Sequence, residues 1–180
     1  MTNSVHVVLV DEYNNVLGTQ DKLIAHNAIT QLHRGFSVFL FNSNKELLLQ
    51  KRSDTKKTWG GFWSNSFCGH PQIHETNEQA IYRHAKFELG IESLQKLYFI
   101  SEYRYKFSLG NITENEICPI YLAITDEVVT PNVQEVSETK FFSWADFNLY
   151  LKKHADKFTP WCKEEINILE INKTFKKFID

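Results

Sequence analysis

The sequence is poor in the residues that mark several classes of protein. Its 180 residues include only three cysteines, seven glycines and four prolines. Three scattered cysteines without a CxxC pair indicate neither a disulfide framework nor a zinc ribbon. So little glycine and proline excludes collagen-like and low-complexity chains. No apolar run approaches the ~18 residues of a membrane span. The formal charge of −2 creates no basic field for nucleic acid or anionic lipid.

What the sequence does contain is typical of a globular protein with a large core. Hydrophobic residues make up 42% and aromatic residues 14% of the chain. At about 150 residues per domain, we expect residues 1–180 to form a single domain. The N-terminal residues lack the basic region of a signal peptide. With so few cysteines, this favours a reducing, cytoplasmic compartment.

Hydrophobic patterning predicts a mixed sheet with a few helices. The predicted strands cover residues 5–10, 36–41, 46–51, 97–107, 117–124 and 139–142, with turns at 14–15 and 42–45. Residues 18–35 have an irregular pattern. The predicted helices cover residues 75–89, residues 144–154 and a last segment that begins at Thr159 and Pro160. In that last helix, four apolar residues fall on one face: Ile168, Ile171, Phe175 and Phe178. These elements predict an α+β fold or a helix/sheet/helix sandwich.

A glycine-to-glutamate segment follows the predicted hairpin. It resembles the Nudix signature, in which a loop and a helix bring glutamates to a diphosphate-bound metal, at Gly69, Glu75, Arg83, Glu88, Gly90 and Ile91. His84 and Phe87 stand where that signature usually has glutamates. Because several carboxylates are needed to offset the charge of Mg²⁺, their loss weakens the interpretation as a hydrolase. Taken alone, the segment is also compatible with a plain loop–helix element carrying surface acids.

Three further segments extend the resemblance over nearly the whole chain. Residues 65–71 read NSFCGHP, residues 113–119 read TENEICP, and histidines stand at positions 26 and 33. Together they resemble the type 1 isopentenyl diphosphate isomerases. This resemblance implies a Nudix-type mixed β-sheet sandwich flanked by helices. It also implies an isomerase of isoprenoid biosynthesis, which interconverts isopentenyl and dimethylallyl diphosphate by protonation and deprotonation through a tertiary carbocation.

The resemblance implies a metal site of three histidines and two glutamates: His26, His33, His70, Glu114 and Glu116. Glu114 and Glu116 are two apart on an expected strand, so their side chains point to the same face. Imidazole and carboxylate ligands suit Mg²⁺, Mn²⁺ or Zn²⁺, and the sequence favours none of them. Taken singly, a Glu-x-Glu pair is usually a solvated strand face and a lone histidine is usually structural.

The catalytic residues that the resemblance implies are Cys68, Glu116, Tyr105 and Trp161. Cys68 and Glu116 are expected on opposite faces of the substrate, with Tyr105 as the hydroxyl partner of Glu116. An aromatic face stabilises a carbocation, which no hydrogen bond can do, and Trp161 is expected to supply it. The competing role for each is plain packing in the core, as we expect for Cys118 and Cys162.

The diphosphate requires cations, and the resemblance points to Lys22, Arg52, Lys56 and Arg83. Of these, Arg52 and Arg83 are favoured because a guanidinium can bind phosphate oxygens bidentately, whereas Lys56 could belong to a solvated loop. Glu88 and the carbonyl of Cys68 are expected to hold a second metal, a Mg²⁺ bound with the diphosphate.

The expected partner is therefore a small isoprenoid diphosphate, bound by a monomer without nucleic acid. Because His26 and His33 lie within residues 1–35, we predict that metal binding orders this segment. Two other functions stay open: a Nudix pyrophosphohydrolase, and a non-enzymatic module that senses a diphosphate metabolite.

Overall fold

Twelve strands, five α-helices and a short 3-10 helix make up residues 6–180, the part of the chain that this computed structural model describes. The strands are β1 (His6–Val10), β2 (Val16–Asp21), β3 (His33–Arg34), β4 (Phe36–Phe41), β5 (Leu47–Arg52), β6 (Trp63–Ser64), β7 (Phe67–Gly69), β8 (Lys96–Ser101), β9 (Arg104–Leu109), β10 (Ile112–Ile117), β11 (Ile120–Ile124) and β12 (Val136–Phe142). The helices are α1 (Lys22–Ala25), α2 (Asn77–Leu89), α3 (Trp144–Lys153), α4 (Pro160–Ile171) and α5 (Lys173–Ile179), with the 3-10 helix at Ala155–Lys157.

The strands form two mixed sheets. One has the order β2-β1-β3-β10-β9, and the other has the order β12-β5-β4-β11-β8, with β6 beside β5 and β7 beside β4. β3 with β10 and β4 with β11 are parallel pairs. The two parallel pairs join segments that lie far apart in the sequence, so they bring distant side chains onto one sheet.

Strand β4 lies at the centre of the second sheet, and all six of its residues are buried. Phe39 and Phe41 face a core shared with the C-terminal helices, whereas Phe36 and Val38 pack with the residues of α2. Burying one such side chain stabilises the fold by about 1.5–3 kcal/mol. The sheet therefore has helices on both faces, which confirms the predicted α+β sandwich.

Helix α2 begins and ends close to the predicted limits. Thr76 and Gln79 form a reciprocal capping box at its start, which satisfies two free backbone N–H groups. Gly90 ends the helix in the left-handed conformation, with φ of 69°, which costs glycine little. The predicted buried face is present and includes Ala80, Ile81, Ala85 and Leu89.

Two predicted strands are each divided in the structure, so those predictions were wrong in extent. The expected strand 97–107 is β8 and β9, which separate at residues 102–103 and belong to different sheets. The expected strand 117–124 is the end of β10 followed by β11, with Cys118 and Pro119 between them. Pro119 has no N–H to donate and cannot continue a ladder, so the chain crosses from one sheet to the other here.

The prediction of one continuous C-terminal helix face was also wrong. Asn172 has an extended ψ of 130°, and its side chain accepts a hydrogen bond from the Phe175 N–H, so the chain restarts as α5. Ile171, expected on the buried face, is 75% exposed. The break turns α5 so that Phe175 is buried against the core.

The N-terminal segment is more regular than its pattern indicated. Strand β1 matches the predicted strand from His6 onward, while Val5 lies outside the described residues. The span 18–35, expected to be irregular, contains the end of β2, all of α1 and β3. No helix within the described residues is long and apolar enough to cross a membrane.

Candidate metal and active site

Five side chains from separate segments of the chain meet at one point beside the first sheet. His26 follows α1, His33 begins β3, His70 follows β7, and Glu114 and Glu116 lie on β10. The parallel pairing of β3 with β10 sets Glu116 opposite His33. We call these five residues the metal cluster; one ligand atom from each lies within 4.8 Å of all the others.

The contacts within the metal cluster are short. His70 Nε2 lies 3.1 Å from Glu116 Oε1, and His33 Nε2 lies 3.6 Å from the same oxygen. His33 is oriented by the carbonyl of Gln31, 2.8 Å from its Nδ1. Gly35 leaves room for the carboxylate, because a Cβ atom there would lie 2.0 Å from Glu116 Oε2. A residue larger than glycine at this position would displace Glu116.

Burial and mutual contact perturb the ionisation of the metal cluster. Burial favours neutral Glu116, but the two imidazoles outweigh it and hold the pKa of Glu116 well below its usual range. Burial opposes the charged form of His33, but the hydrogen bond and charge of Glu116 outweigh it and raise the pKa of His33. For His70, burial dominates and keeps its pKa well below the usual value. The cluster therefore combines an ionised acid with at least one neutral imidazole, the forms that bind metals.

The residues of the metal cluster fit a divalent cation. Four of them have a buried polar atom without a hydrogen-bond partner within the described structure: His26 Nε2, His33 Nε2, His70 Nδ1 and Glu114 Oε2. His26 Nε2 and Glu114 Oε2 approach to 2.9 Å without hydrogen-bond geometry. Buried polar atoms are rarely left unpaired. Nitrogen and carboxylate donors converging in this way suit Mg²⁺, Mn²⁺ or Zn²⁺.

A cavity of about 890 Å³ opens beside the metal cluster. Cys68, Glu116, Tyr105 and Trp161 all line it, together with His26, His70 and Glu114. The structure therefore brings the four expected catalytic side chains to one space, and their roles stay predictions. Its volume lies within the range typical of small-molecule sites, about 300–1,000 Å³.

Cys68 lies on β7, and its thiol is held by neutral groups. Its Sγ donates to Asn65 Oδ1 at 3.2 Å and lies 3.6 Å from Ser37 Oγ. Burial raises the pKa of the Cys68 thiol far above its usual value, and the charge that Glu165 carries when it is ionised adds to this shift. Unlike Cys118 and Cys162, which are fully buried as expected, Cys68 is partly accessible. A protonated, accessible thiol is suited to delivering or exchanging a proton.

Trp161 forms an aromatic wall of the cavity with Tyr105 and Trp59. Its indole stacks on Tyr105 at 5.7 Å between ring centroids and meets Trp59 edge-on at 5.1 Å. The indole N–H donates to Ser64 Oγ at 3.1 Å, which fixes the ring. Tyr105 lies opposite Glu116 in the β9–β10 register, although the hydrogen bonds of the described residues do not join them. Trp161 is only 2% exposed, so its ring packs in the core and also lines the cavity.

The four expected diphosphate-binding cations also line the cavity, but three of them already have partners. Arg52 donates to the carbonyl of Thr58 at 2.9 Å and lies over the Trp161 ring. Lys56 pairs with Glu135. Arg83 is held by Glu75 at 2.6 Å. Burial and the charge of Lys56 lower the pKa of Lys22. A bound diphosphate would have to exchange with these contacts.

Glu88, the expected ligand of a second metal, is not among the described residues that line the cavity. Its Oε1 lies 3.0 Å from His84 Nδ1 one helical turn away. Burial alone would raise the pKa of Glu88, but the hydrogen bond and charge of His84, together with the charges of Lys56 and Lys22, outweigh it and lower the pKa. The His84 ring packs directly against Gly69, since a Cβ atom at position 69 would lie only 2.5 Å from His84 Nε2. His84 thus occupies the place of a Nudix glutamate and pairs with Glu88, the signature glutamate that remains on α2.

The sequence analysis missed three buried polar residues behind Cys68. Ser37 donates to Glu165 Oε2 at 2.8 Å and accepts from Asn65 Nδ2 at 2.8 Å. Asn65 lies within the NSFCGHP segment that carries the resemblance, so a signal for it was present. Ser37 and Glu165 sit in a buried strand and in an apolar helix, where no local pattern indicates a polar contact.

Comparison with known proteins agrees with this architecture. The NUDIX domain family model matches residues 31–162. A solved structure from Deinococcus radiodurans superposes with a TM-score of 0.65 over 83% of this chain and 90% of its own, at 20% identity, which supports the fold alone.

Two curated relatives resemble the chain over nearly its whole length. The isopentenyl-diphosphate Delta-isomerase of Enterobacter sp. (strain 638) is 40% identical over 162 residues, which are 89% of this chain and 86% of the relative. The protein of the same name from Saccharopolyspora erythraea is 36% identical over 161 residues, 89% of this chain and 83% of the relative. The NUDIX match includes four of the five metal-cluster residues, all but His26, and it also includes Cys68, Tyr105 and Trp161 of the cavity. The chain therefore belongs to the isopentenyl-diphosphate Delta-isomerase family of NUDIX-domain proteins.

Proposed function

We propose that this protein interconverts isopentenyl diphosphate and dimethylallyl diphosphate. The observation that carries the proposal is the common cavity of Cys68, Glu116 and Trp161, with basic residues lining the same space. A double-bond shift requires one proton donor and one acceptor around a short hydrocarbon, and a site that excludes water. The names of the relatives point to the same reaction.

The diphosphate end supplies binding energy that positions the hydrocarbon. We infer that Lys22, Arg52, Lys56 and Arg83 bind the phosphate oxygens, with Lys56 and Arg83 leaving their carboxylate partners to do so. Glu88 and the Cys68 carbonyl would hold the Mg²⁺ that comes with the diphosphate. Binding energy from this non-reacting part of the substrate orients the alkene between the reacting groups.

Proton transfer is assigned to Cys68 and Glu116. One of them delivers a proton to one face of the alkene, and the other removes a proton from the opposite face. The two exchange roles in the reverse direction. Tyr105, next to Glu116 across the strand pair, is proposed to contact the carboxyl group during transfer. Positioned acids and bases of this kind contribute about 10²–10⁴-fold to a rate.

Trp161 is proposed to stabilise the tertiary carbocation that protonation creates. A tryptophan face is worth roughly 2 kcal/mol to a desolvated cation. Its stacking on Tyr105 and its hydrogen bond to Ser64 hold the ring in place. The aromatic wall also excludes water, which would convert the cation to an alcohol.

The metal cluster would hold one divalent ion through His26, His33, His70, Glu114 and Glu116, with Mn²⁺, Mg²⁺ or Zn²⁺ as candidates. When bound, such an ion fixes the orientation of the Glu116 carboxyl and lowers its proton affinity. We further propose a cytoplasmic, monomeric protein in which residues 1–180 form one domain.

Incubation with isopentenyl diphosphate and Mg²⁺ in D₂O, followed by NMR, tests the proposal. The expected result is deuterium in the methyl groups of dimethylallyl diphosphate, absent with the Cys68→Ala variant. Release of phosphate would indicate a hydrolase instead. Saturable binding without any change in the substrate would indicate a binding module. Either of these two results overturns the isomerase assignment.

A further inference from the structure

A buried carboxyl group lies behind the cavity, outside the set of residues assigned above. Glu165 is on α4, one turn after Trp161, and none of its surface is exposed. Its Oε2 accepts a hydrogen bond from Ser37 at 2.8 Å. Its Oε1 has no partner within the part of the chain that the structure describes. One hydrogen bond is too little to stabilise an ionised carboxylate at such depth.

Among residues 6–180, the charges that act on Glu165 are both negative, those of Glu116 and Glu164. The titratable groups near Glu165 are Glu164 and Cys162 on its own helix, Cys68 on β7 and Glu116 on β10. Tyr103, just before β9, and Cys118, just after β10, complete the set. Burial, reinforced by the charges of Glu116 and Glu164, raises the pKa of Glu165 to about 8. The side chain is therefore a neutral carboxylic acid at pH 7, and it ionises as the pH rises through about 8.

A chain of short contacts joins this carboxyl group to Cys68. Ser37 and Cys68 are opposite each other in the β4–β7 pair, with 3.6 Å between the hydroxyl oxygen and the sulfur. Asn65 donates to Ser37 and accepts from the Cys68 thiol at 3.2 Å. The Ser37 hydroxyl has a single hydrogen, and in this arrangement Glu165 receives it. Ser37 therefore has no hydrogen left to donate to the sulfur, so the thiol donates to the neighbouring oxygens, of which Asn65 Oδ1 is the closer, and this restrains the rotamer of Cys68.

We propose that Glu165 is a positioning residue for Cys68, acting through Ser37 and Asn65 in its neutral form. This inference rests on the proposed isomerase function. Ionised Glu165 would place a negative charge behind the thiol, oppose any negative charge that develops on the sulfur, and leave an unpaired charge beside Trp161 in α4. Activity should therefore fall as Glu165 loses its proton.

The decisive variant is Glu165→Gln, which keeps the shape of the side chain and the acceptor for Ser37 but stays neutral at every pH. At pH 7 we expect its kcat to be within about threefold of the unmodified protein, since both side chains are neutral there. One pH unit above its pKa a group is about 90% ionised, so near pH 9 the variant should be about tenfold more active than the unmodified protein. Glu170→Gln, an exposed position on the same helix, is the matched control and should follow the unmodified profile. Superimposable profiles for Glu165→Gln and the unmodified protein would overturn the proposal.

Infrared difference spectroscopy gives a second measurement that does not require turnover. The unmodified protein at pH 7 should show a carboxylic acid C=O band that disappears in Glu165→Gln and fades above pH 8. Absence of that band at pH 7 overturns this inference even if the protein is an active isomerase. Conversely, a protein that shows the band but fails the D₂O test retains the neutral carboxyl group and loses the isomerase assignment, and with it the role for Glu165.

Discussion

Within the part of the chain that the structure describes, two groups of histidine and carboxylate side chains are buried, and they differ in whether their polar atoms find hydrogen-bond partners. His84 and Glu88 lie four residues apart on α2 and pair with each other at 3.0 Å. The metal cluster draws on four separated segments and leaves four polar atoms without hydrogen bonds among the described residues. The polar atoms of the first group pair within one helix, whereas the second group leaves unpaired donor atoms that a divalent cation could bind.

This difference follows from which element carries the carboxylate side chains, a helix or a strand. In the Nudix signature that the segment 69–91 resembles, the acids lie on the helix, but here His84 and Phe87 replace two of them. The acids of the metal cluster are instead on β10, where the register sets Glu116 opposite His33 and Tyr105. A carboxyl group on this strand reaches the same cavity as Cys68 and Trp161. The comparison teaches that the chain can keep the signature helix and still place buried acids at the cavity from a strand.

The strongest test of this difference removes the two side chains to which proton transfer is assigned, Cys68 and Glu116. We expect Cys68→Ala and Glu116→Gln each to reduce kcat for isomerisation by about 10²–10⁴-fold. Far-UV circular dichroism should show that both variants remain folded. Glu92→Gln, at an exposed pair with Lys86, is the control and should keep full turnover. Turnover near that of the unmodified protein would remove the affected residue from the mechanism.

The helix α2 could be predicted from the sequence more fully than the metal cluster, and the reason is physical. The limits of α2 follow from local signals, because its capping box and its terminal glycine lie within a few residues of the helix. His26 and His33 could be assigned only by resemblance, because their positions depend on α1 and on the non-local β3–β10 pairing. The division of strand 97–107 was missed since its two halves pair with different partners. Glu165 was missed because a buried acid in an apolar helix resembles a surface residue in sequence.

A second test separates the two groups by metal binding. Glu114→Gln removes a ligand of the metal cluster, so its affinity for Mn²⁺ or Zn²⁺ should fall by more than the roughly 10- to 100-fold lost with an outer-shell partner. Glu88→Gln should leave that affinity unchanged when no diphosphate is present, because Glu88 is satisfied by His84. Competition with a chelator measures both values. Equal losses in the two variants would show that the metal does not bind at the cluster.

The smallest effect is expected at Glu75, which holds Arg83 beside the start of α2 at 2.6 Å. The hydrogen bond from Arg83 lowers the pKa of Glu75 in the folded protein. A lowered folded-state pKa stabilises the fold above the unfolded pKa of about 4.3, and this contribution disappears as the pH falls through the folded value. Glu75→Gln should therefore lower the free energy of unfolding at pH 7 by less than about 1 kcal/mol, since partly exposed pairs are well screened. The difference between variant and unmodified protein should close in acid, and denaturant titrations at pH 7 and pH 3 measure it. A difference that persists at pH 3 would mean that Glu75 acts by packing and not by its charge.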